Sequence, residues 1–371
     1  MRAIGVLITA AVAIVAIVLA ASSGSGSEPE EVPPGFYGIV SQTPLEGEDF
    51  ERMGEGRVGT LRIVLPWSAI DPTPTEDDFD FSTVDPIVLA AAEQDIQVLP
   101  FFFGTPEWAA TELDGHASCD EDCGPYAPRS GTALAAWGEF VGAAVDRYGP
   151  GGELWAQYPG SPAHPIRTWQ VWNEQNSATF YRPEPSISGY VELLEATEKA
   201  IHERDPEAEI VLGGMFGTPP DAGQRADTAW QYLRELYETE AADLFDAVAS
   251  HPYAANVDKV ESQVELLHDE VVRAGDSEAG LWVTELGWAS DGPDHPLNRG
   301  PEGQAERLTE AFELLLANRA EWNVEGVTWY SWRDSHGPGL CDWCGGSGLF
   351  AEDALEPKPS WTAFVEFTGG R

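Results

Sequence analysis

The chain is poor in basic residues. It has 20 Lys and Arg against 63 Asp and Glu, and its formal charge at pH 7 is −43. A protein that binds nucleic acid regardless of sequence needs a basic face to neutralise phosphates, so this composition argues against a nucleic-acid partner. Only Lys199, Lys259 and Lys358 are lysines. We interpret the acidic excess as a strongly solvated surface suited to high salt.

Several catalytic signatures are also missing. No Gly-x-Gly-x-x-Gly loop directly follows the first apolar run, which removes the main support for a dinucleotide-binding fold. The histidines include no His-x-x-x-His pair with an intervening Glu, and no Gly-x-Ser-x-Gly elbow occurs. These absences argue against a metalloprotease and weaken the case for a serine hydrolase. We expect no metal and no cofactor.

The only long apolar run is at the N-terminus. Arg2 precedes the uncharged residues 4–21, and a Ser/Gly-rich stretch follows them. This order is typical of an export signal, but 18 apolar residues also approach the lower limit for a membrane span. Residues 1–21 are therefore predicted to be a signal peptide or a membrane anchor, residues 22–34 a flexible linker, and residues 35–371 one folded domain. We expect the protein outside the cell, either free or tethered to the outer face of the membrane.

There are only four cysteines, in two closely spaced pairs, Cys119 with Cys123 and Cys341 with Cys344. Export makes disulfides the expected state, and the sequence allows three pairings. The close spacings would also suit a zinc site, which stays open as an alternative. Both pairs fall in long segments between predicted strands and helices, where we expect the bridges to stiffen the rim of a cleft.

Eight short apolar runs alternate with segments of helical spacing. The runs are nearly continuous, as in parallel strands that are covered on both faces. Eight strands alternating with helices favour a closed (β/α)8 TIM barrel over an open doubly wound sheet. The longest strand-to-helix segments would then form a cleft at the C-terminal face of the barrel. The predicted strands are residues 36–40, 60–65, 97–103, 168–172, 210–215, 247–250, 281–284 and 326–331; the predicted helices lie within residues 134–148, 187–201, 232–237, 260–272 and 308–316; the long segments are residues 104–130, 289–301 and 333–357.

Two glutamates stand at the ends of predicted strands. Glu174 follows the fourth run and Glu285 follows the seventh. A lone glutamate at a strand end is usually just solvated, but strand ends at this face carry the catalytic residues of such barrels. Cleavage of a glycosidic bond needs two carboxyl groups that face one cleft. One protonates the leaving oxygen, and the other attacks the anomeric carbon or activates water.

The motifs around these glutamates resemble those of a known group. Trp172-Asn173-Glu174 and residues 284–288, Thr-Glu-Leu-Gly-Trp, resemble the acid/base and nucleophile motifs of clan A retaining glycoside hydrolases. The resemblance is closest to actinobacterial proteins similar to families 39 and 5, and it covers nearly the whole exported part. It implies that Glu174 is the general acid/base and Glu285 the nucleophile of a double displacement. Gln175 replaces the proline of the commoner motif, which we expect to change the loop geometry and to leave the chemistry intact.

The resemblance also implies roles for four further residues. Asn173 would hydrogen-bond the sugar 2-hydroxyl next to the bond that breaks. Arg62, on the second strand, would lie beneath the nucleophile and keep it ionised. His251 and Tyr253, at the end of the sixth strand, would line the sugar site, and the tyrosine would orient the nucleophile.

Clan members usually place a tryptophan at the end of the eighth strand, as the floor of the sugar site. Trp329 and Trp332 would lie on opposite faces of this strand, so only one can serve, and we predict Trp332. Indole rings pack well on the apolar C–H faces of sugars. Further candidates near strand ends or in rim loops are Trp67, Trp108, Trp288 and Trp343.

These inferences predict a secreted, monomeric glycosidase that hydrolyses O-glycosidic bonds in poly- or oligosaccharides with retention of configuration. Its partner would be a carbohydrate. Two alternatives stay open. One is a non-catalytic carbohydrate-binding protein on the same barrel, and the other is a transglycosidase, which uses the same residues but excludes water.

Overall fold

The computed structural model describes residues 32–73, 79–110, 119, 122–219, 223, 226–336, 341–352 and 355–371. The predicted signal or anchor segment and most of the predicted linker lie outside these ranges, so their assignment stays a prediction. Residues Pro34–Arg371 form a unit of their own. Within the described ranges, no helix has the length and apolarity needed to cross a membrane.

The core of this unit is a closed parallel β-barrel. Each strand pairs in parallel with the next, and the last strand pairs with the first to close the wall. All eight predicted strands overlap observed ones, so the predicted (β/α)8 TIM barrel is confirmed. The strands are β1 (Tyr37–Val40), β2 (Thr60–Pro66), β3 (Gln97–Phe103), β4 (Thr168–Val171), β5 (Glu209–Leu212, continued by Met215–Phe216), β6 (Ala247–His251), β7 (Gly280–Leu286) and β8 (Val324–Tyr330).

Helices follow the strands along the chain. The five predicted helical segments lie within α5, α7, α8, α9 and α10, and the Ser186 hydroxyl caps α7 by accepting a hydrogen bond from the Gly189 amide. The described helices are α1 (Gly47–Glu55), α2 (Trp67–Ile70), α3 (Asp85–Glu93), α4 (Glu107–Ala110), α5 (Gly131–Tyr148), α6 (Glu153–Gln157), α7 (Ile187–His202), α8 (Ala229–Tyr237), α9 (Val257–Ala274), α10 (Gly300–Ala317) and α11 (Pro359–Thr368), with short 3₁₀ turns at Ala241–Leu244 and Cys344–Gly346.

Trp282 fills the lower half of the barrel, near the N-terminal ends of the strands. It packs against small and aliphatic residues of the neighbouring strands, including Ala247 and Ala249. Gly326 makes room for the indole, because a Cβ there would lie 2.4 Å from a ring atom. Side chains alternate along a strand, so Thr284, two residues beyond Trp282, points into the same interior nearer the C-terminal face. An apolar lower layer thus supports a polar upper one.

Residues 54–59 match the Gly-x-Gly-x-x-Gly spacing, yet they do not form a dinucleotide loop. They end α1 and lead into β2, whereas a dinucleotide loop joins a strand to the helix that follows it. Close packing explains two of the glycines. A Cβ at Gly56 would lie 2.0 Å from the Trp361 ring, and one at Gly59 would lie 1.9 Å from the carbonyl oxygen of Pro34.

Both disulfides are local. Cys119 pairs with Cys123 and Cys341 with Cys344, with Cα atoms 5.0 and 5.3 Å apart. Of the three pairings the sequence allowed, the structure adopts this one, and a bridged cysteine offers no thiolate to zinc. The bridges lie in the segments that follow β3 and β8, at the C-terminal face of the barrel.

Candidate active site

The two glutamates converge at the C-terminal face of the barrel. A carboxylate oxygen of Glu174, one of Glu285 and a ring nitrogen of His251 all lie within 4.8 Å of one another. Glu174 is 5% exposed and Glu285 is 8% exposed, so both carboxyl groups are largely removed from solvent. The structure thus brings together two acidic side chains that are 111 positions apart in the chain.

Local backbone features aim both side chains into the site. Trp172 and Glu174 have φ values of 74° and 45°, in the left-handed region that side chains other than glycine rarely adopt. The Glu174 amide also donates to the Gly214 carbonyl at 3.1 Å, which ties this turn to β5. In β7 the pairing register shifts between Val283 and Leu286, so the side chain of Glu285 does not follow the regular in-and-out alternation of a strand. Strain of this kind is concentrated at functional sites.

Arg62 lies beneath the pair and is fully buried. Its guanidinium donates to Glu285 at 2.6 Å, to the Asn173 side-chain oxygen at 2.9 Å and to the Gln170 side-chain oxygen at 2.7 Å. The guanidinium also stands 4.1 Å from the centre of the Phe101 ring. Burial lowers the pKa of Arg62, and the Glu285 charge opposes that shift. The geometry matches the predicted place of Arg62 below the nucleophile.

Glu285 accepts hydrogen bonds at both oxygens, as a carboxylate does. Arg62 donates to Oε1, and the Tyr253 hydroxyl donates to Oε2 at 2.8 Å. Burial, followed by the Glu285 charge, raises the pKa of Tyr253 well above its usual value, so the phenol keeps the proton that it donates. Two donors therefore hold the carboxylate in a fixed orientation.

Glu174 has a different environment. Burial raises its pKa well above the usual range, the Glu285 charge raises it further, and Arg62 opposes the change. Its Oε1 lies 2.9 Å from His251 Nδ1. Burial and Arg62 lower the pKa of His251 well below its usual value, so the imidazole is neutral. Burial thus favours the protonated form of Glu174, whereas Glu285 accepts hydrogen bonds from two donors, and unlike environments of this kind are what an acid/nucleophile pair needs.

Asn173 is held next to this pair. Its Oδ1 accepts from Arg62, which turns the amide Nδ2 away from the guanidinium and leaves it to donate to another group. The predicted contact with a sugar hydroxyl is compatible with this orientation and stays a prediction.

The structure does not bring Trp67 or Trp288 to the site. Both are fully buried. Trp67 packs against Trp137 and Phe140 of α5, outside the barrel, with Trp108 at its edge. The Trp288 indole donates to the Ala254 carbonyl and lies beside Trp329. These rings serve the core, because each has its faces covered by protein.

Trp332 is not the aromatic floor that we expected. It is fully buried, packs against Phe350 and Trp361, and donates its indole proton to Asp49 of α1. The residue that faces the site is Tyr330, whose ring lies 6.2 Å from that of Tyr253.

The strand β8 ends at Tyr330, so alternation along it does not extend to Trp332. Thr328 of β8 donates to the Thr284 carbonyl inside the barrel, whereas Trp329 packs outward against Phe312 of α10. Tyr330 shares the parity of Thr328 and points inward. Burial and then the charges of the two site glutamates raise its pKa, which also places the phenol beside them. The inward polar threonine was the signal in the sequence that could have identified Tyr330.

Trp343, one of the predicted rim aromatics, does reach the site. Its ring centre lies 5.1 Å from that of Tyr253, and the His295 ring is nearly parallel to it at 6.3 Å. The loop that carries it is closed by the bridge between Cys341 and Cys344. The two site glutamates therefore have aromatic neighbours on the β8 side.

Glu174, His251 and Glu285 could also be viewed as a metal-ligand set, since three ligand atoms lie close together. The hydrogen bonds from Arg62 and Tyr253 already occupy both oxygens of Glu285. A metal cation would also stand next to the buried guanidinium, which would repel it. These contacts account for the trio, and we assign it no metal.

Comparison with known proteins finds similarity in fold only. No family model and no curated protein matches the sequence. A family 39 glycoside hydrolase from Bacteroides cellulosilyticus WH2 superimposes with a TM-score of 0.66 at 19% identity, over 91% of this chain and 64% of that one. This chain thus spans less than two thirds of the Bacteroides enzyme.

Two further solved structures agree. The GH53 catalytic domain of Ignisphaera aggregans gives a TM-score of 0.61 at 18% identity, over 91% of this chain and 98% of that one. A GH5_18 protein of Bifidobacterium longum, solved in complex with Manb1-4GlcNAc, also gives 0.61 at 18% identity, over 90% of this chain and 78% of that one. The fold is that of clan A glycoside hydrolases. The resemblance to families 39 and 5 is confirmed at this level.

Proposed function

We propose that the protein is a retaining glycoside hydrolase that cleaves O-glycosidic bonds in oligo- or polysaccharides. The observation that carries the proposal is the opposed pair Glu174 and Glu285, with carboxylate oxygens within 4.8 Å. Retaining enzymes hold their two carboxyl groups roughly 5–5.5 Å apart, and inverting enzymes hold them roughly 6.5–9.5 Å apart to admit a water molecule. The short separation supports retention.

In the first step Glu285 attacks the anomeric carbon while the bond from that carbon to the leaving oxygen breaks. Glu174 gives its proton to that oxygen, and the products are a glycosyl ester on Glu285 and a free alcohol. The raised pKa of Glu174 supports this role, because it favours the protonated carboxyl group that a general acid needs. Arg62 and Tyr253 hold the attacking carboxylate in place.

In the second step Glu174 removes a proton from water, whose oxygen attacks the anomeric carbon and releases Glu285. The glycosyl ester has no charge, so the part of the Glu174 pKa shift that the Glu285 charge causes is absent during this step. The Glu174 carboxylate left by the first step is therefore the more stable form, and it can act as the base. Formation of the ester on Glu285 thus lowers the pKa of Glu174 between the two steps.

The surrounding residues are suited to holding the sugar. The Asn173 amide is free to donate to the 2-hydroxyl, and the Tyr330 and Trp343 rings offer apolar faces to ring C–H groups. These contacts support a carbohydrate substrate without selecting one configuration.

The test begins with the purified full chain and a panel of polysaccharides and aryl glycosides. On the best substrate, Glu174→Ala should lose most activity towards natural glycans but keep turnover of aryl glycosides whose leaving group needs no proton. Added azide should restore turnover and give a glycosyl azide of retained configuration. Full activity of Glu174→Ala on natural glycans would contradict the role assigned to Glu174.

Proton NMR of the first product separates the remaining possibilities. Retention requires that the anomer released first has the configuration of the substrate, and the opposite anomer would refute the double displacement. Binding of oligosaccharides without any turnover would instead identify a carbohydrate-binding protein.

We also propose that the protein is exported, on the support of residues 1–21 alone. Mass spectrometry of protein expressed in a secreting host should find a mature N-terminus near residue 21 or 22, or the intact chain in the membrane fraction. Intact chain in the soluble cell interior would contradict export.

A further inference from the structure

A continuous line of hydrogen bonds runs beneath the two site glutamates. It begins at one glutamate, passes under the site and ends at the other, and all of its links lie inside the barrel. The members, in order, are Glu174, His251, Thr284, Gln170, Arg62 and Glu285, and successive partners are 2.9, 3.0, 3.2, 2.7 and 2.6 Å apart. All six side chains are buried.

Arg62 fixes which groups donate and which accept along this line of hydrogen bonds. A guanidinium only donates, so the atom of Gln170 that meets Arg62 Nε must be the amide oxygen. The Gln170 Nε2 then faces the other way and donates to the Leu212 carbonyl at 3.0 Å. A carbonyl oxygen only accepts, so two independent partners fix the same amide orientation.

This orientation fixes the Thr284 hydroxyl. Gln170 Nε2 also donates to Thr284 Oγ1 at 3.2 Å, so the threonine oxygen is an acceptor on that side. The other partner of this hydroxyl among the described residues is His251 Nε2, at 3.0 Å. The single hydroxyl proton of Thr284 is therefore available for His251, and Nε2 accepts it. Since His251 is neutral, its one ring proton lies on Nδ1.

The backbone covers this contact. A Cβ at Gly214 would lie 2.0 Å from His251 Nε2 and 2.5 Å from Thr284 Oγ1. The glycine main chain thus packs directly on the histidine–threonine hydrogen bond and leaves no space for a third group there. Thr284 is therefore the hydrogen-bond partner of His251 Nε2.

We propose that Gln170 and Thr284 are positioning residues that set the tautomer of His251, so that Nδ1–H donates to Glu174 Oε1 and the other oxygen of Glu174 handles the catalytic proton. The opposite tautomer would present a bare Nδ1 lone pair at 2.9 Å. That lone pair would take the proton meant for the leaving group, and it would repel the Glu174 carboxylate in the second step. The catalytic consequence rests on the proposed function, whereas the tautomer does not.

The tautomer can be measured directly. The full chain labelled with ¹⁵N in its histidine rings should show, at pH 7, a protonated Nδ1 and an unprotonated Nε2 for His251. A His251→Asn variant identifies the signals among those of the seven histidines. A protonated Nε2 in the wild type would overturn the proposal.

Three variants test the line link by link. Gln170→Glu replaces the donating amide by a group that only accepts, so Thr284 should donate to it and His251 should carry its proton on Nε2 instead. Thr284→Val should remove the preference for one tautomer, and Thr284→Ser, which keeps the hydroxyl, should preserve the wild-type signals. An unchanged tautomer in Gln170→Glu would show that the line does not control His251.

Kinetics connect the tautomer to the reaction. Thr284→Val should lower kcat on substrates with poor leaving groups by about 10- to 100-fold, less than the full contribution of general acid catalysis because Glu174 itself remains, with little change in KM. Aryl glycosides with good leaving groups should be affected less, and Thr284→Ser should restore most of kcat. An equal loss on both substrate classes would indicate a merely structural role. The expected tautomer without any hydrolysis would refute the proposed function and leave the tautomer assignment intact.

Discussion

Each end of the barrel holds a pair of neighbouring glutamates, which is buried at the upper end and half-buried at the lower end. The upper pair is Glu174 and Glu285. The lower pair is Glu209, at the start of β5, and Glu325, near the start of β8. The Trp282 indole donates to both lower carboxyl groups, at 3.3 Å to Glu209 and at 2.7 Å to Glu325. Burial and the neighbouring Glu209 raise the pKa of Glu325 to about 8.

The two pairs balance their charge in different ways. Arg62 lies against the upper pair and donates directly to one member. In the described part of the chain, neither Glu209 nor Glu325 forms an ion pair, and the raised pKa of Glu325 favours a retained proton that lowers the charge of the lower pair. A cavity of about 330 Å³ opens at this end, but Trp282 lines it and neither glutamate does.

The comparison shows what identifies a catalytic pair. A carboxyl group with a strongly raised pKa occurs at both ends, so this property alone does not mark the site. The upper pair differs because its members have unlike partners. Glu285 accepts hydrogen bonds from Arg62 and Tyr253, whereas Glu174 forms a hydrogen bond with the neutral imidazole of His251. Unlike partners allow one carboxyl group to lose its proton while the other keeps it.

The largest difference in kcat/KM is expected between a variant that removes a carboxylate from the upper pair and one that removes a carboxylate from the lower pair. Glu285→Ala should lower kcat/KM by about 10⁴-fold or more, because the covalent step loses its nucleophile. Glu325→Gln should leave kcat/KM on the same substrate within about twofold. A comparable loss in Glu325→Gln, with the fold intact by circular dichroism, would remove the functional distinction between the two ends.

Replacing the buried cation should have the next largest effect. Arg62→Lys should lower kcat by about 10²- to 10³-fold, since one ammonium cannot reproduce the three hydrogen bonds of the guanidinium fork. Single-turnover measurement of the glycosylation step is the suitable assay. Wild-type rates in Arg62→Lys would mean that the charge alone suffices and that the fork has no role.

The sequence predicted the barrel well because its strands are nearly continuous apolar runs that depend little on context. It missed α1 and α3 for local reasons. α1 contains two glycines and five charged residues in nine positions, and α3 begins with Asp-Pro and is dominated by alanine and aliphatic residues with little polar alternation. It also missed α11, which begins Pro359-Ser360 and depends on packing against α10.

The convergence of Glu174 and Glu285 could be predicted because a strand end is a position that the sequence shows. Gln170 and Thr284 could not be assigned roles in this way, since their meaning depends on contacts across the barrel. Arg62 and Gln170 are 108 positions apart, and Gln170 and Thr284 are 114 positions apart. The preference for Trp332 failed for a related reason. Alternation holds only within a strand, and the end of β8 at Tyr330, two residues before Trp332, is not visible in the sequence.

The lower pair should make stability fall as pH rises. The pKa of Glu325 is raised from 4.5 to about 8, so between these values the folded state holds a proton that the unfolded state has lost. This contribution is complete below pH 4.5 and is lost as pH approaches 8. Glu325→Gln removes the titrating group. The variant and the wild type should have similar urea midpoints at pH 4, and the variant should be the more stable at pH 9. A constant difference across this range would contradict the raised pKa.

The smallest effect is expected from Thr168, whose hydroxyl donates to Glu209 at 2.8 Å. Thr168→Val should reduce the free energy of unfolding by about 1 kcal/mol, the usual contribution of one hydrogen bond. The loss should grow above pH 8, because a donor matters more once both lower carboxyl groups are charged. In a Glu325→Gln background this growth should disappear, while kcat stays unchanged in both. Urea unfolding of the wild type, the two single variants and the double variant at pH 6 and pH 9 measures the coupling. A Thr168→Val effect independent of both pH and residue 325 would mean that the hydroxyl acts outside the lower pair.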